Sequence, residues 1–201
     1  MRIPINGRHP EPRKIARACA ALRKGDVIAY PTDTVYGLGC DITNKRAVEA
    51  LYRMKQMERT QLLSFICPDL SDIAKYGVVD DAAYRIMRRL VPGAYTFVLP
   101  ATREVPKVLR MNRKTVGIRV PDHPVALALA KELGNPVAST SASFDGEPLV
   151  DPEDIEERFP DLAMVLDTED GYGLTPSTIL DLSDSSRPVV LREGAGPVDF
   201  L

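Results

Sequence analysis

The chain has 201 residues, of which 44% are hydrophobic, and this length and composition predict one domain over residues 1–201, with a core from about 12 to 200. Its formal net charge of −2 argues neither for nor against a nucleic-acid partner, so any cationic site must be local. No apolar run reaches the length of a membrane span and the N-terminus lacks the apolar core of a signal peptide, so we expect a cytoplasmic protein without membrane association.

Helices and strands are predicted to alternate along the first half of the chain. Apolar residues at positions 15, 18, 19 and 22 recur with helical spacing, and Gly25 follows as a stop signal. An apolar, β-favouring run at Val27–Tyr30 ends at Pro31, which has no N–H to give to a sheet. The next predicted elements are a helix capped by Thr43 or Asn44, a strand at Leu62–Cys67 and a helix that starts at Asp80 or Asp81.

The second half continues the alternation. A helix is expected from Pro124, which suits a first helical turn, to Leu133, with Gly134 as its stop. The other predicted elements are a helix at Pro152–Phe159 and strands at Tyr95–Leu99, Val116–Val120, Val137–Thr140, Ala163–Leu166, Thr178–Leu182 and Val189–Arg192. This order of elements predicts the α/β class with a mixed sheet.

The segment after the first long strand places hydroxyls, a carboxylate and a phenol in what reads as a loop. Thr32, Thr34 and Tyr36 follow Pro31, and glycines stand at positions 37 and 39. A strand that releases its chain into polar side chains and glycines is typical of binding crevices in α/β sheets. An ordinary exit from a strand into a loop explains the same composition equally well.

Two cationic features are candidates for an anion site. Lys55 and Arg59 are spaced i, i+4 near the end of a predicted helix, where they could share a phosphate or form a solvated face. Arg119 lies inside an apolar strand, and a buried arginine needs an anion or a carboxylate partner. Asp33 and Asp122 are the carboxylates that could take that place.

A run of hydroxyl side chains follows the strand at Val137–Thr140. These residues could hydrogen-bond a phosphate or a carboxylate substrate, although a serine-rich loop is an equal alternative. Further polar groups, Ser177 and Arg192, stand at the edges of apolar runs. The hydroxyl run comprises Ser139, Thr140, Ser141 and Ser143.

Several kinds of site are not indicated by the sequence. The three cysteines are widely spaced and the two histidines lie in no motif with the serines, so neither a zinc site nor a Ser-His-Asp triad is expected. Neither G-x-x-x-x-G-K-[ST] nor G-x-G-x-x-G occurs. A nucleotide would therefore not be held by a P-loop or a Rossmann turn.

Taken in order, these segments resemble the YrdC-like family, whose members include threonylcarbamoyl-AMP synthases. The resemblance spans most of the chain and implies a single α/β domain with a twisted mixed sheet, flanking helices and a large concave cationic cavity. Each motif is short, and the ordered set carries the specificity. The motifs are Y-P-T-D-T-V-Y-G-L-G (30–39), Lys55, P-G-A-Y-T-F-V-L (92–99), G-I-R-V-P-D-H-P (117–124), S-T-S-A (139–142), P-S-T-I-L-D-L (176–182) and L-R-E-G (191–194).

The resemblance also implies a reaction, in which L-threonine, bicarbonate and ATP give threonylcarbamoyl-AMP and pyrophosphate for the N6-threonylcarbamoyladenosine modification of tRNA. Lys55 and Arg59 are the implied catalytic cations, and Mg²⁺ is expected with ATP, held by phosphate oxygens and water. The threonine and carbamate end would be formed by Thr32, Thr34 and Tyr36, and Arg119 would pair with the threonine carboxylate or with a phosphate. The implied nucleotide and phosphate contacts are Ser139, Thr140, Ser141, Ser143, Ser177 and Arg192.

Two positions depart from the pattern of the synthases. They typically read K-x-R, whereas Met57 stands here and the arginine comes later, at Arg59. They also read S-T-S-A-N, whereas the last position is Ser143, which cannot supply the two N–H donors of an amide. In these points the chain is more similar to the YciO branch of the family. The alternative is therefore a non-catalytic, translation-associated protein that binds double-stranded RNA or tRNA. Two basic stretches, at positions 85, 88 and 89 and at positions 107, 110, 113 and 114, could contact an RNA backbone, although solvated faces explain both more simply.

Overall fold

A computed structural model describes residues 1–110, 114–168 and 173–199. The helices are α1 (Pro12–Lys24), α2 (Lys45–Met54), α3 (Leu70–Tyr76), α4 (Asp81–Leu90), α5 (Lys107–Arg110), α6 (Pro124–Leu133) and α7 (Pro152–Arg158). The strands are β1 (Arg2–Pro4), β2 (Ile28–Tyr30), β3 (Gly37–Asp41), β4 (Ser64–Ile66), β5 (Tyr95–Pro100), β6 (Thr115–Arg119), β7 (Val137–Ser141), β8 (Ser143–Phe144), β9 (Glu147–Pro148), β10 (Met164–Asp167), β11 (Thr178–Asp181) and β12 (Val189–Arg192).

The helix ends carry the signals that the sequence predicts. The Asn44 side chain accepts a hydrogen bond from the Ala47 N–H at the start of α2, and Asp80 does the same for α4. Gly25 ends α1 in the left-handed conformation, with φ of 97°, which a residue with a Cβ adopts at a cost. Local chemistry therefore fixes where these helices begin and end.

The strands of the described residues form a ten-stranded mixed sheet in the order β1-β10-β2-β3-β7-β4-β6-β5-β11-β12, with β8 and β9 as a separate hairpin. Parallel and antiparallel pairs alternate irregularly. For example, β4 is parallel to β6 and antiparallel to β7. The α/β fold with a mixed sheet and flanking helices is thus confirmed, while its treatment as a single domain over residues 1–201 stays a prediction.

The two faces of the sheet are covered unequally, since side chains alternate between them along each strand. On one face, Leu38, Phe65, Phe97 and Ile118 belong to an apolar cluster with residues of α2, α3, α4 and α7. On the other face, β10, β2 and parts of β4 and β7 pack against α1 and α6. Among the described residues, no helix packs on the rest of this second face, over β5, β6 and β11, and part of the candidate site lies there.

The segment 37–41, predicted as part of a loop, is the buried strand β3, and that prediction was wrong. Gly37 and Gly39 serve close packing there and not a turn. A Cβ on Gly39 would lie 2.8 Å from the Tyr30 ring and 2.5 Å from a Val137 methyl, and a Cβ on Gly37 would lie 2.9 Å from the same ring. The glycines therefore let Tyr30 lie flat across β3.

Further elements gave no recognisable sequence signal. The sequence did not predict β1, α3, α5 or the hairpin of β8 and β9, because each is short. No helix among the described residues is long and apolar enough to cross a membrane.

Candidate functional site

The candidate site has two chambers, of which the inner one lies on the open part of the second sheet face. The inner chamber, of about 120 Å³, is lined by the predicted residues Thr32, Tyr36, Arg119, Ser177 and Arg192 and by the segment 139–141. The outer chamber, of about 530 Å³, contains Lys55 and Ser143. Thr140 lines both chambers, so they adjoin at this residue.

Arg119 is the buried cation of the inner chamber, with only 6% of its surface exposed. Its Nη2 atom donates to Asp33 Oδ1 at 2.5 Å and its Nη1 atom donates to Thr34 Oγ1 at 3.0 Å. Among the described residues, the buried Nε atom has no hydrogen-bond partner. Burial lowers the pKa of this guanidinium, and the Asp33 carboxylate opposes that shift. Of the two carboxylates that the sequence offered, Asp33 is the partner.

The loop after β2 is closed by its own hydroxyls. Thr32 Oγ1 donates to the Val35 carbonyl at 2.7 Å and accepts from the Thr34 N–H at 3.1 Å. Such a turn fixes the backbone without any secondary-structure bond. It holds Thr34 and Asp33 in position against Arg119, so the two predicted threonines support the buried cation.

Tyr36 lies at the chamber, but its phenol is committed elsewhere. The hydroxyl donates to the Leu166 carbonyl at 3.0 Å and accepts from the Thr168 N–H at 3.4 Å. The Tyr36 carbonyl accepts from the Ala142 N–H at 2.7 Å. Tyr36 therefore joins β10 to the segment that carries the serines, and a direct contact of its phenol with a substrate stays a prediction.

Ser139 is held by a residue that the sequence did not single out. The Tyr30 hydroxyl donates to Ser139 Oγ at 2.6 Å, and Ser139 Oγ donates to the Leu38 carbonyl at 3.2 Å. Tyr30 is fully buried, and that burial raises the pKa of its hydroxyl, so it remains a donor near neutral pH. One lone pair of Ser139 is left for a ligand.

The far end of the inner chamber is built around Ser177. Its hydroxyl lies 2.9 Å from that of Thr96, and its carbonyl accepts from Arg192 Nη2 at 2.7 Å. The segment that carries Arg192 and Gly194 packs closely against the backbone of Pro176, because a Cβ on Gly194 would clash with the Pro176 carbonyl oxygen. Burial and the positive charge of Arg119 both lower the pKa of Arg192. Among the described residues at the chamber, two guanidiniums thus stand against one carboxylate, that of Asp33, which gives the chamber a positive excess.

Lys55 is the cation of the outer chamber. Its Nζ atom donates to the backbone carbonyl of Ser143 and, at 2.9 Å, to the Ser143 hydroxyl. It also lies 5.7 Å from the centre of the Phe159 ring. Burial lowers the pKa of the Lys55 ammonium. Ser143 therefore accepts two of the three N–H donors of this cation, where the synthase pattern would place an asparagine.

Arg59 does not join Lys55. The helix α2 ends at Met54, with Lys55 as its cap and Gln56 at a φ of 52°, so the two cations do not share a helical face and that prediction was wrong. The Arg59 side chain is 57% exposed and pairs with Glu49 at 3.4 Å. Met57 lines the outer chamber in its place. A catalytic role for Arg59 stays a prediction.

Several lining residues escaped the sequence reasoning. Ser64 and Thr96 line the inner chamber, and Gln56, Phe144 and Arg158 line the outer one. The polar residue inside each of two apolar runs, L-L-S-F-I-C and Y-T-F-V-L, was a signal for the first two. Gln56, Phe144 and Arg158 gave no such sequence signal, because only the folded chain brings them close together.

Two further observations concern charge. No group of three or more histidine, cysteine, aspartate or glutamate side chains that could hold a metal ion occurs among the described residues.

A separate cleft of about 320 Å³ lies beside Arg8, Glu11, Lys14 and Asp167. Its Glu11 carboxylate already accepts from Lys14 and from the Asn6 N–H, so these two charges pair with each other.

Comparison with known proteins identifies the family. The Sua5, YciO and YrdC family model, described as telomere recombination, matches residues 20–194. The chain belongs to this family. It is 43% identical over 198 residues to YciO of Escherichia coli K12, covering 96% of this chain and 95% of that protein. A crystal structure of E. coli YciO superposes with a TM-score of 0.93 and covers 99% of this chain and 98% of the other.

Sua5-type members of the family are also similar. The threonylcarbamoyl-AMP synthase of Bacillus subtilis is 39% identical over 189 residues, which are 90% of this chain and 53% of that enzyme. A crystal structure of Pyrococcus abyssi Sua5, described as P. abyssi Sua5 complexed with L-threonine, has a TM-score of 0.87 and 30% identity, and covers 96% of this chain and 57% of that one. The family resemblance inferred from the motifs, including its YciO branch, is confirmed.

Proposed function

We propose that the protein makes threonylcarbamoyl-AMP and pyrophosphate from L-threonine, bicarbonate and ATP, for the N6-threonylcarbamoyladenosine modification of tRNA. One observation carries the proposal. The buried Nε of Arg119 has no partner among the described residues, although a buried donor of this kind is costly to leave unsatisfied. It lies in a small polar chamber with a positive excess, which suits the carboxylate of a small amino acid.

The two chambers divide the substrates between them. The inner chamber offers guanidinium and hydroxyl donors to the threonine carboxylate and side chain. The outer chamber, with Lys55, is large enough for a nucleotide. Thr140 belongs to both, so the carbamate formed on threonine would meet the α-phosphate beside this residue.

The proposed chemistry needs charge neutralisation more than acid–base catalysis. The threonine amine adds to bicarbonate with loss of water to form a carbamate. A carbamate oxygen then attacks the α-phosphate of ATP, and the bond to pyrophosphate breaks. Both steps gather anions, so Arg119, Arg192 and Lys55 lower the barrier by position and charge. Mg²⁺ would be carried by the phosphate oxygens of ATP, since the described residues offer no carboxylate cage.

A direct assay tests the proposal. The full chain is incubated with ATP, bicarbonate and threonine, and threonylcarbamoyl-AMP is measured by mass spectrometry beside pyrophosphate release. We expect both products in equal amount, and neither product with Lys55→Ala. The control variant Arg46→Ala removes an exposed arginine from the opposite end of α2 and should retain activity. Absence of both products, with an active synthase as positive control, would refute the proposal.

A second candidate is non-catalytic binding of double-stranded RNA or tRNA. It is favoured by the engagement of Lys55 with Ser143 and by the exposed face of α4, which carries Tyr84, Arg85 and Arg88. Titration with structured RNA at several salt concentrations should then show a steep dependence of affinity on salt. Absence of binding at low salt would remove this candidate.

A further inference from the structure

The outer chamber is bordered by a stack of two side chains that the proposed reaction steps do not use. The Cζ atom of Arg158 lies 3.0 Å from the centre of the Phe144 ring, so the guanidinium rests on the ring. Phe144 belongs to the hairpin of β8 and β9, and Arg158 is the last residue of α7. Both side chains line the outer chamber.

The amide of Gln56 lies in the same chamber. Within the described part of the chain, it forms no hydrogen bond, so its donor and its acceptor are both available. The Gln61 amide differs, because its oxygen already accepts from the Glu58 N–H at 3.1 Å. An amide that presents a donor and an acceptor side by side matches the edge of adenine.

We propose that Phe144, Arg158 and Gln56 form an adenine subsite. The base stacks on the pair of Phe144 and Arg158, and the Gln56 amide pairs with its edge. Nucleobases stack on aromatic rings and on guanidinium planes, which raises affinity by about tenfold or more for each base. Lys55 lies in the same chamber, where it can meet the phosphate of the same nucleotide. The inference rests on the proposed function, to which it adds the residues that select the base.

Calorimetric titration of the full chain with AMP, GMP and ribose 5-phosphate tests the subsite. We expect AMP to bind about tenfold more tightly than ribose 5-phosphate. Phe144→Ala and Arg158→Ala should remove this advantage and leave the affinity for ribose 5-phosphate unchanged. Gln56→Ala should reduce the difference between the affinities for AMP and for GMP. The control Arg46→Ala, at an exposed arginine outside both chambers, should bind AMP as the unmodified chain does.

The outcomes separate this inference from the proposed function. The subsite is wrong if AMP binds no better than ribose 5-phosphate, or if Phe144→Ala and Arg158→Ala both fold and bind AMP normally. If AMP binding depends on these residues but no pyrophosphate forms, the subsite stands and the synthase proposal fails. If pyrophosphate forms and Phe144→Ala leaves the KM for ATP unchanged, the synthase proposal stands and the subsite fails. Melting curves establish that each variant is folded.

Discussion

Arg119 and Asp33 form an ion pair in which the Arg119 side chain is 8% and the Asp33 side chain 13% exposed, at an N–O distance of 2.5 Å. They belong to β6 and to the loop after β2, which are far apart in sequence. A buried pair of this kind costs desolvation free energy, and it is kept in place by Thr34, which accepts from the same guanidinium. Arg119 lines the inner chamber, so the pair bears both on stability and on the proposed binding of threonine.

The first prediction separates the contribution of Arg119 to stability from its contribution to threonine binding. Arg119→Met should lower the free energy of unfolding by about 3 kcal/mol, because it leaves Asp33 buried without its partner. The double variant Arg119→Met/Asp33→Leu should recover most of this stability, while threonine binding stays lost. Urea denaturation and calorimetry measure the two quantities. A single variant as stable as the unmodified chain would show that the pair is not effectively buried.

Tyr30 provides the second prediction. Tyr30→Phe removes the hydroxyl that donates to Ser139, at a cost of about 1 kcal/mol in the free energy of unfolding. The Ser139 side chain then rotates more freely, so the affinity of the inner chamber for its ligand should fall as well. Tyr84→Phe, at an exposed tyrosine of α4, is the matched control and should change neither quantity. Equal affinities in both variants would mean that Tyr30 does not position Ser139.

The third prediction compares two glycines on the same face of the sheet. Gly39→Ala should lower the free energy of unfolding by about 2 kcal/mol, since its Cβ would overlap Val137 and Tyr30. Gly117→Ala should leave stability nearly unchanged, because the nearest atoms to its Cβ are Thr96 Cγ2 at 3.6 Å and Ser64 Oγ at 3.8 Å. Thermal melting distinguishes them. A large loss of stability in Gly117→Ala would contradict the free space that the structure shows beside Gly117.

The Gly117→Ala variant should instead weaken the binding of threonine. Ser64 and Thr96 line the inner chamber, so a methyl group between them reduces its free volume. Threonine affinity should therefore drop in Gly117→Ala while the melting temperature is kept. Unchanged affinity would place the amino acid elsewhere in the cavity.

The fourth prediction concerns pH. Burial lowers the pKa of Lys55 from 10.5, so its charge is lost at a lower pH than in an exposed lysine. Affinity for AMP should fall as pH rises through this lowered pKa, since only the ammonium attracts the phosphate. The phosphate itself is fully ionised well above its second pKa of about 6.

The measurement is AMP affinity from pH 7.5 upward in the unmodified chain and in Lys55→Met. The unmodified chain should lose affinity with rising pH, whereas Lys55→Met should bind weakly and without this trend. The other charged side chains that line the chamber, Arg158 and Asp145, are the same in both proteins, so the comparison isolates the contribution of Lys55. The same slope in both variants would assign the titration to another group.

Much of the fold could be predicted because its signals are local. Strands such as Val189–Arg192 and the start of α6 at Pro124 follow from apolar runs and from proline and glycine positions. The sequence also indicated that Arg119 needs an anionic partner and offered Asp33 as one candidate, because the cost of burying a charge is the same in any fold.

The parts that could not be predicted depend on contacts between distant segments. Gly37 and Gly39 read as a loop because their real neighbour, Tyr30, packs on them only after β2 and β3 pair. Arg59 was expected beside Lys55 because helical spacing assumes a helix that in fact stops at Met54. These outcomes depend on tertiary packing, which overrides local patterns.

The unequal covering of the sheet has a consequence for how this scaffold tolerates change. The helices that bury most of the apolar surface lie on the face opposite the inner chamber. Substitutions at Ser64, Thr96 or Ile179, which border the cavity, thus disturb few core contacts. A library randomised at these three positions should yield mostly folded proteins with altered ligand preference. The architecture separates the residues that maintain the fold from those that diversify its chemistry.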